Sequence, residues 1–390
     1  MNILHRISYG CTFIVAMALC AVAQASSAKA ASFQGLGDLT GGEFGSFATD
    51  VSADGSTVVG GSSVNGGLEG FRWTQESGMQ GLGSFNASSV SADGSVVVGS
   101  SSRWTQETGV QPLADLPDGF YIDAYDVSAD GSVVVGRSTS SNENTEAFRW
   151  TQESGIEGLG KLSGVDSYSF ATAISGDGSA IVGGSSSNTS TEAFRWTEDN
   201  GMQGLGAFLE GTYAYSEANG VSADGSVVVG RSTSGNNLDE VLKAAEAFRW
   251  TEEDGLQALG GLPGGAFFYS SAFDVSADGL TIVGESSSAN DRDAFIWDSE
   301  NGMRALQEVL TDDYDLDLTG WSLSAANAIS DDGLTIVGRG RNPQGNTEAW
   351  IARIDAQPNR EPVPEPSFIL ATAVAGGFGT LFKKLKKNAS

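Results

Sequence analysis

The sequence predicts an all-β chain: a seven-bladed β-propeller of four-stranded antiparallel blades, its ring closed by an N-terminal strand, with a C-terminal transmembrane helix after it. Three recurrences carry that expectation. An Asp-Gly pair in a Ser-rich setting returns at Asp54, Asp93, Asp130, Asp177, Asp224, Asp278 and Asp332. A Val/Ile-rich run follows each pair and ends in Gly60, Gly99, Gly136, Gly183, Gly230, Gly284 and Gly338. A tryptophan then closes the unit, at Trp73, Trp104, Trp150, Trp196, Trp250, Trp297 and Trp350, so that seven of the eight tryptophans are expected in one structural place. A period of about 40 to 50 residues belongs to propellers and other repeat arrays. A β-solenoid is the alternative, but its repeats are usually shorter.

In chain order, residues 1–30 come first. A short basic start, an apolar run from about Ile7 to Val22 and a stretch of small residues form the pattern of a secretory signal peptide. Cleavage is expected after Ala25 or Ala30; a lipoprotein site at Cys20 is disfavoured by Leu19, where a small residue is needed. Cys11, Cys20 and His5 are the only cysteines and histidine of the chain, and all lie in this segment. An exported chain without them is excluded from Cys nucleophiles, Ser-His-Asp triads, ordinary zinc sites and His-ligated haem. Disulfides are excluded too, so stability must come from burial and hydrogen bonds. With 49 acidic against 21 basic residues, the net charge of −28 predicts a surface that repels nucleic acid.

The repeat region is expected over 31–355. In its third unit AYDVS, SVVVG, AFRWT and IEGLG read as four strands, with Ala-Asp-Gly-Ser as the first hairpin turn and Glu-Ser-Gly as the third. Phe148 and Trp150 are two apart and share a face. The last unit stops after its third strand, EAWIARID at 348–355, whereas FQGLGDL at 33–39 matches the QGLG of fourth strands at 80–83 and 203–206. The N-terminal segment is therefore expected to complete the final blade and remove the exposed sheet edges of an open array.

First and third turns share one face of such a disc and are uniform here. Second-to-third loops and blade-to-blade connections share the other face and vary, and variation on a rigid scaffold is where binding resides. The candidate ligand-binding residues in those connections are Phe120, Tyr121, Tyr168, Tyr213, Tyr215, Phe268, Tyr269 and Trp321, beside loops rich in Ser, Thr, Asn and acids. Aromatic faces stack on the apolar faces of sugars while polar groups bond hydroxyls; the alternative is that these rings extend the innermost strands and pack between blades. Asp50, Asp126 and Asp274 share one repeat position aimed at the central channel, but only three of seven units carry an acid there, so neither a metal nor a cofactor is expected. Asp313, Asp315 and Asp317 imitate the start of a calcium loop, yet Leu318 stands where Gly is required and Ser324 where the bidentate Glu is required, which leaves a solvated strand face. LDEVLKAA at 238–245 reads as one or two helical turns on the variable face.

Residues 356–366 are Pro-rich and read as an extended linker. The apolar run SFILATAVAGGFGTLF at 367–382 and the basic KKLKK after it complete the chain as a segment 367–390. As a helix the run spans about 24 Å against a bilayer core of about 30 Å, with lysines snorkelling at a cytoplasmic end.

Two resemblances follow from these residues. The units resemble the HAF repeat family of extracellular bacterial proteins in Glu-Ala-Phe at 146–148, 192–194 and 246–248, Asp-Ala-Phe at 293–295 and Glu-Ala-Trp at 348–350. The family's His is absent throughout, so no role of that imidazole carries over; what the resemblance implies is an extracellular repeat protein. Pro364, Glu365 and Pro366, with the apolar run and basic terminus, resemble the PEP-CTERM sorting signal. That resemblance implies an exosortase-type processing enzyme as partner, membrane attachment before processing, release or transfer at the cell envelope, and association with exopolysaccharide. The expected function is a non-enzymatic binding or structural module of the envelope or extracellular matrix, with polysaccharide or protein partners. Two alternatives are kept: a carbohydrate-active propeller enzyme working with paired Asp or Glu, and a purely structural surface protein.

Overall fold

Each Ser-x-Asp-Gly stretch folds into the same tight turn. In the third unit Ser128 Oγ donates to Asp130 Oδ1 (2.8 Å) and accepts the Val133 N–H (3.0 Å), while Asp130 Oδ1 also accepts the Ser132 N–H (2.9 Å). Gly131 takes a φ of 70°, a left-handed conformation that disfavours any side chain. The pattern recurs in all seven turns, for example at Ser52 with Asp54 and at Ser330 with Asp332.

A computed structural model of the protein describes residues 31–113, 119–140, 145–162, 168–186, 190–208, 214–233 and 245–354. The expected signal peptide, linker, sorting motif and transmembrane helix lie outside these residues, as do Tyr213, the side chain of Phe120 and the 238–245 helix apart from Ala245, which begins a strand.

The described residues form seven antiparallel sheets of four strands, a β-propeller in which each sheet is one blade. The innermost strands are Ser46–Val51, Ser89–Val90, Gly119–Val127, Tyr168–Ile174, Ser216–Val221, Ser270–Val275 and Ser322–Ile329. The first half of the next strand of each blade, such as Val96–Gly99 or the AIVG that opens Ala180–Ser186, is buried on both faces, which is why it is written as a continuous apolar run ending in glycine. In the seventh blade the outermost strand is Ser32–Gly35, paired antiparallel with Thr347–Arg353 so that Ser32 faces Arg353 and Gly35 faces Trp350.

Blades adhere through apolar clusters between neighbours. Val96 and Val98 of the second blade pack with Ile122, Ala124 and Phe148 of the third. Ala48, Val51 and Val58 of the first pack with Val337, Ala349 and Ile351 of the seventh. The turns add backbone hydrogen bonds from blade to blade, including Ala53 N–H to the Ala92 carbonyl (3.1 Å) and Ala92 N–H to the Ala129 carbonyl (3.0 Å).

In six of the seven blades a bulge in the innermost strand explains the glycine that ends the Val/Ile run. In the third blade the pairing steps from Ala124 opposite Gly136 to Asp126 opposite Val135, leaving Tyr125 extra. The bulge drives the Asp123 carbonyl oxygen to within 1.9 Å of where a Cβ on Gly136 would stand, and the corresponding glycines meet a carbonyl at 1.8 to 2.1 Å.

The expected equivalence of seven tryptophans is corrected by the register. Trp73, Trp150, Trp196, Trp250 and Trp297 lie opposite Val58, Val134, Ile181, Val228 and Ile282, but Trp350 lies opposite Gly338. That place belongs to Phe71, Phe148, Phe194, Phe248 and Phe295 in other blades, and Ala352 occupies the tryptophan place. The larger indole fills the space beside Phe33 of the N-terminal strand, with ring centroids 6.1 Å apart. A second correction concerns residues 309–318. Val309–Asp313 continues the helical turn begun at Leu306, with Leu306, Val309 and Leu310 buried between blades six and seven, so this segment is no strand face.

Candidate variable-face site

The repeat becomes irregular where innermost strands begin and second strands end. In blades one and four the register pair there is Phe47 with Gly61 and Phe170 with Gly184, and the ring fills the space a Cβ would need. In the third blade the pair is Asp123 with Arg137, in the fifth Glu217 with Arg231, in the sixth Ser271 with Glu285 and in the seventh Ala325 with Arg339. The fold therefore accepts an apolar pair at this place and does not require the charges.

These charges and three of the expected tyrosines form two networks. Arg137 donates to Asp123 Oδ2 through Nε (3.1 Å) and a terminal nitrogen (2.9 Å), and the hydroxyls of Tyr121 and Tyr125 donate to the same carboxylate at 2.6 and 3.2 Å. The larger network crosses three blades. Arg231 donates to Glu217 (2.8 Å) and to the Tyr215 hydroxyl (3.0 Å), and reaches the Tyr269 hydroxyl of blade six at 3.5 Å. Tyr269 donates to Glu285 Oε1 (3.2 Å); Arg292 also binds Glu285, and Arg339 of blade seven approaches it at 3.5 Å. Arg292 lies 4.4 Å from the centroid of the Tyr269 ring, within cation–π range.

Glu285 is 4 % exposed, whereas the side chains of Arg292 and Arg339 are 41 % and 46 % exposed. The acid is thus the buried anchor and the guanidinium edges face solvent. Three arginines share two carboxylates, a local positive excess on a chain of net charge −28. Burial and the neighbouring carboxylates hold the Tyr215 and Tyr125 hydroxyls well above the usual tyrosine range, so both remain donors.

Of the expected residues outside the larger network, Tyr121, Tyr168 and Phe268 are exposed, Tyr168 stacks on Phe170 at 6.1 Å, and Trp321 packs edge-on against Phe33 at 5.1 Å. The structure brings Tyr215 and Tyr269 together and leaves Tyr121 and Tyr168 on separate blades. The arginines and acids of the networks were missed by a reading that followed aromatics. Their signal was nevertheless present: Gly-Gly at 60–61 and 183–184 becomes Gly-Arg at 136–137, 230–231 and 338–339, and Gly-Glu at 284–285.

The central channel, about 240 Å³, is lined by Asp50, Asp126 and Asp274. Each carboxylate ties its blade to the next: Asp50 accepts the Val90 N–H, Asp126 the Ile174 N–H and Asp274 the Ile329 N–H, all at 2.8 Å. Burial raises all three, to about 7 for Asp50, where the charge of Asp126 adds to the effect, and to about 8 for Asp274. Among the described residues no three acids are placed to share a metal ion.

No family model and no curated protein matches the chain. Among solved structures, the chain is similar to prolyl endopeptidase at 13 % identity and a TM-score of 0.52, covering 80 % of this chain and 50 % of that one. It is also similar to an oligogalacturonate lyase in complex with manganese (14 % identity, 84 % and 97 % covered, TM-score 0.47) and to oligogalacturonate lyase from Vibrio parahaemolyticus (11 %, 83 % and 97 %, 0.48). The first likeness shows a shared fold alone, and the chain spans half the length of that enzyme. The two lyases, at TM-scores below 0.5, support no statement about this chain.

Proposed function

We propose that this propeller is a non-enzymatic, exported binding module of the cell envelope or matrix, whose variable face takes polysaccharide or a protein partner bearing acidic groups. One observation carries the reading: the Tyr215–Glu217–Arg231–Tyr269–Glu285–Arg292–Arg339 network places partly exposed arginines beside tyrosines at a register position where the fold is equally served by Phe and Gly. Glu285 is buried and needs its cationic partners, but folding does not call for the acid itself, since blades one and four hold Phe and Gly at the same place. Pairing of Ser32–Gly35 with Thr347–Arg353 supports a ring closed by the N-terminal strand, a rigid disc on which such a face is held.

The reading includes tail processing by an exosortase-type enzyme, supported by the resemblance of Pro364, Glu365, Pro366 and the run after them to the sorting signal. If Pro364→Ala with Pro366→Ala leaves the electrophoretic mobility of the cell-associated chain unchanged, that part fails. A glycan array probed with purified 31–362 tests the rest. Saturable retention of acidic saccharides, lost in Arg231→Ala/Arg339→Ala, is the expected result. A blank array with self-association points instead to a structural surface protein. The carbohydrate-active alternative keeps one supporting observation, Asp293 and Glu308 in a cleft with Trp321, and release of reducing ends selects it.

A further inference from the structure

The carboxylate that opens Glu-Ala-Phe, Glu-Ala-Trp at 348–350 and the equivalent Glu-Gly-Phe at 69–71 has a structural task in most blades. Glu69, Glu146, Glu192 and Glu348 accept the backbone N–H of Gly83, Gly160, Gly206 and Gly37 at 2.9, 2.8, 3.1 and 2.9 Å, pinning the connection that leaves the fourth strand. Glu246 does the same with Gly260. Blade six departs from this. Its residue is Asp293, one methylene shorter, and the chain beyond Ala305 enters a helical turn instead of the Leu-Gly step. Leu306 keeps the buried leucine, but Gln307 stands in the glycine's place. Among the described residues, the side chain of Asp293 accepts only one long hydrogen bond, from Asn290 Nδ2 at 3.3 Å.

A cleft of about 460 Å³ opens at this point between the loop at Asn290 and the connection to blade seven, lined by Asn290, Asp293, Gln307, Glu308, Thr311 and Trp321. Gln307 is occupied with positioning: its Nε2 donates to the Trp321 carbonyl (3.0 Å) and its Oε1 accepts the Leu323 N–H (3.3 Å). Phe33 steadies the indole from one side, edge to face at 82°. The result is a fixed, partly open indole beside two carboxylates and an exposed amide.

We propose that this cleft is a subsite for a neutral hexopyranose unit of a glycan. The indole offers an apolar platform to the C–H face of a pyranose, and Asp293, Glu308 and Asn290 offer acceptors and donors for its hydroxyls. Two carboxylates and no cationic side chain among the lining residues disfavour a uronate or sulfated sugar. The volume suits about one or two sugar rings. The subsite shares no residue with the arginine network, so it stands or falls separately from the acidic ligand proposed there.

The test is titration of the purified chain with cellotetraose, maltotetraose and chitotetraose, with an alginate oligomer as acidic control, followed by tryptophan fluorescence and saturation-transfer NMR. One neutral tetrasaccharide is expected to saturate below about 1 mM, with affinity lowered about tenfold or more in Asp293→Ala and in Trp321→Ala. Because Trp321 also packs on Phe33, Asn290→Ala at the exposed rim serves as the variant that leaves the core alone; it too is expected to weaken binding. Arg231→Ala is expected to leave the neutral ligand unaffected while weakening acidic ones. The inference is overturned if none of the three neutral sugars saturates, if only alginate binds, or if both Asp293→Ala and Asn290→Ala bind like the parent. Hydrolysis of the bound tetrasaccharide would uphold the ligand class and remove the non-enzymatic reading.

Discussion

Asp50 and Asp274 sit in a channel that raises them to about 7 and about 8, while the turn acids Asp54, Asp93, Asp130, Asp177 and Asp224 are held below the usual carboxylate range. Burial outweighs hydrogen bonding in the first group; in the turns, side-chain and backbone donors outweigh burial. The two groups act on stability with opposite sign. A raised carboxylate binds its proton more tightly in the folded state, so its stabilising contribution is complete below about pH 4 and is lost as pH climbs through about 7 and 8. A depressed carboxylate contributes above its ordinary value near 4 and loses that contribution on acidification. Urea denaturation is therefore expected to show stability falling from about pH 5 to pH 8, with Asp274→Asn flattening that slope. A rise over the same interval would contradict the assignment. Ser128→Ala, which strands the Val133 N–H and removes a donor from Asp130, is expected to lower stability by about 1–3 kcal/mol in the same assay.

At the level of the strand, the bulge makes a sharper demand. A Cβ on Gly183 would stand 2.0 Å from the Phe170 carbonyl oxygen, so Gly183→Ala must either move the innermost strand or lose the bulge. A destabilisation of about 1–3 kcal/mol or more is expected by thermal denaturation, whereas Gly155→Ala probes only φ, since nothing lies within 4 Å of its Cβ position. The blade count was legible because turn and bulge each need a glycine at a fixed spacing, and the strand between them is apolar on both faces. The place of Trp350 was not: Glu-Ala-Trp and Phe-Arg-Trp look alike as letters, and only the pairing of Trp350 with Gly338 shows which ladder position the indole fills. The charged pairs were hidden for a related reason, since Asp123 and Arg137 are fourteen positions apart and meet only through the register that the bulge sets. Of the aromatic residues singled out in the connections, Trp321 is partly a packing residue against Phe33.

For the molecule as a whole, the seventh blade is the vulnerable one. Its outermost strand comes from the other end of the described chain, and Ala349 N–H is held by Ser46 Oγ (3.0 Å), itself bonded to the Gly37 carbonyl (2.5 Å). Removing residues 31–36 would uncover the edge of Thr347–Arg353 and the apolar rings beneath it. Lower thermal stability and concentration-dependent association are expected by scanning calorimetry and light scattering; a monomer of unchanged stability would show that the strand is dispensable. The pairing of Ser32 with Arg353 also sets an order of events. On the ribosome the first of these strands emerges long before its partner exists, so every blade but one has its strands in hand while the last must wait for nearly the whole repeat region to be made. Such a distant contact is slow to form, and a chain whose final joint is delayed in this way stays incompletely locked until Thr347–Arg353 has been made.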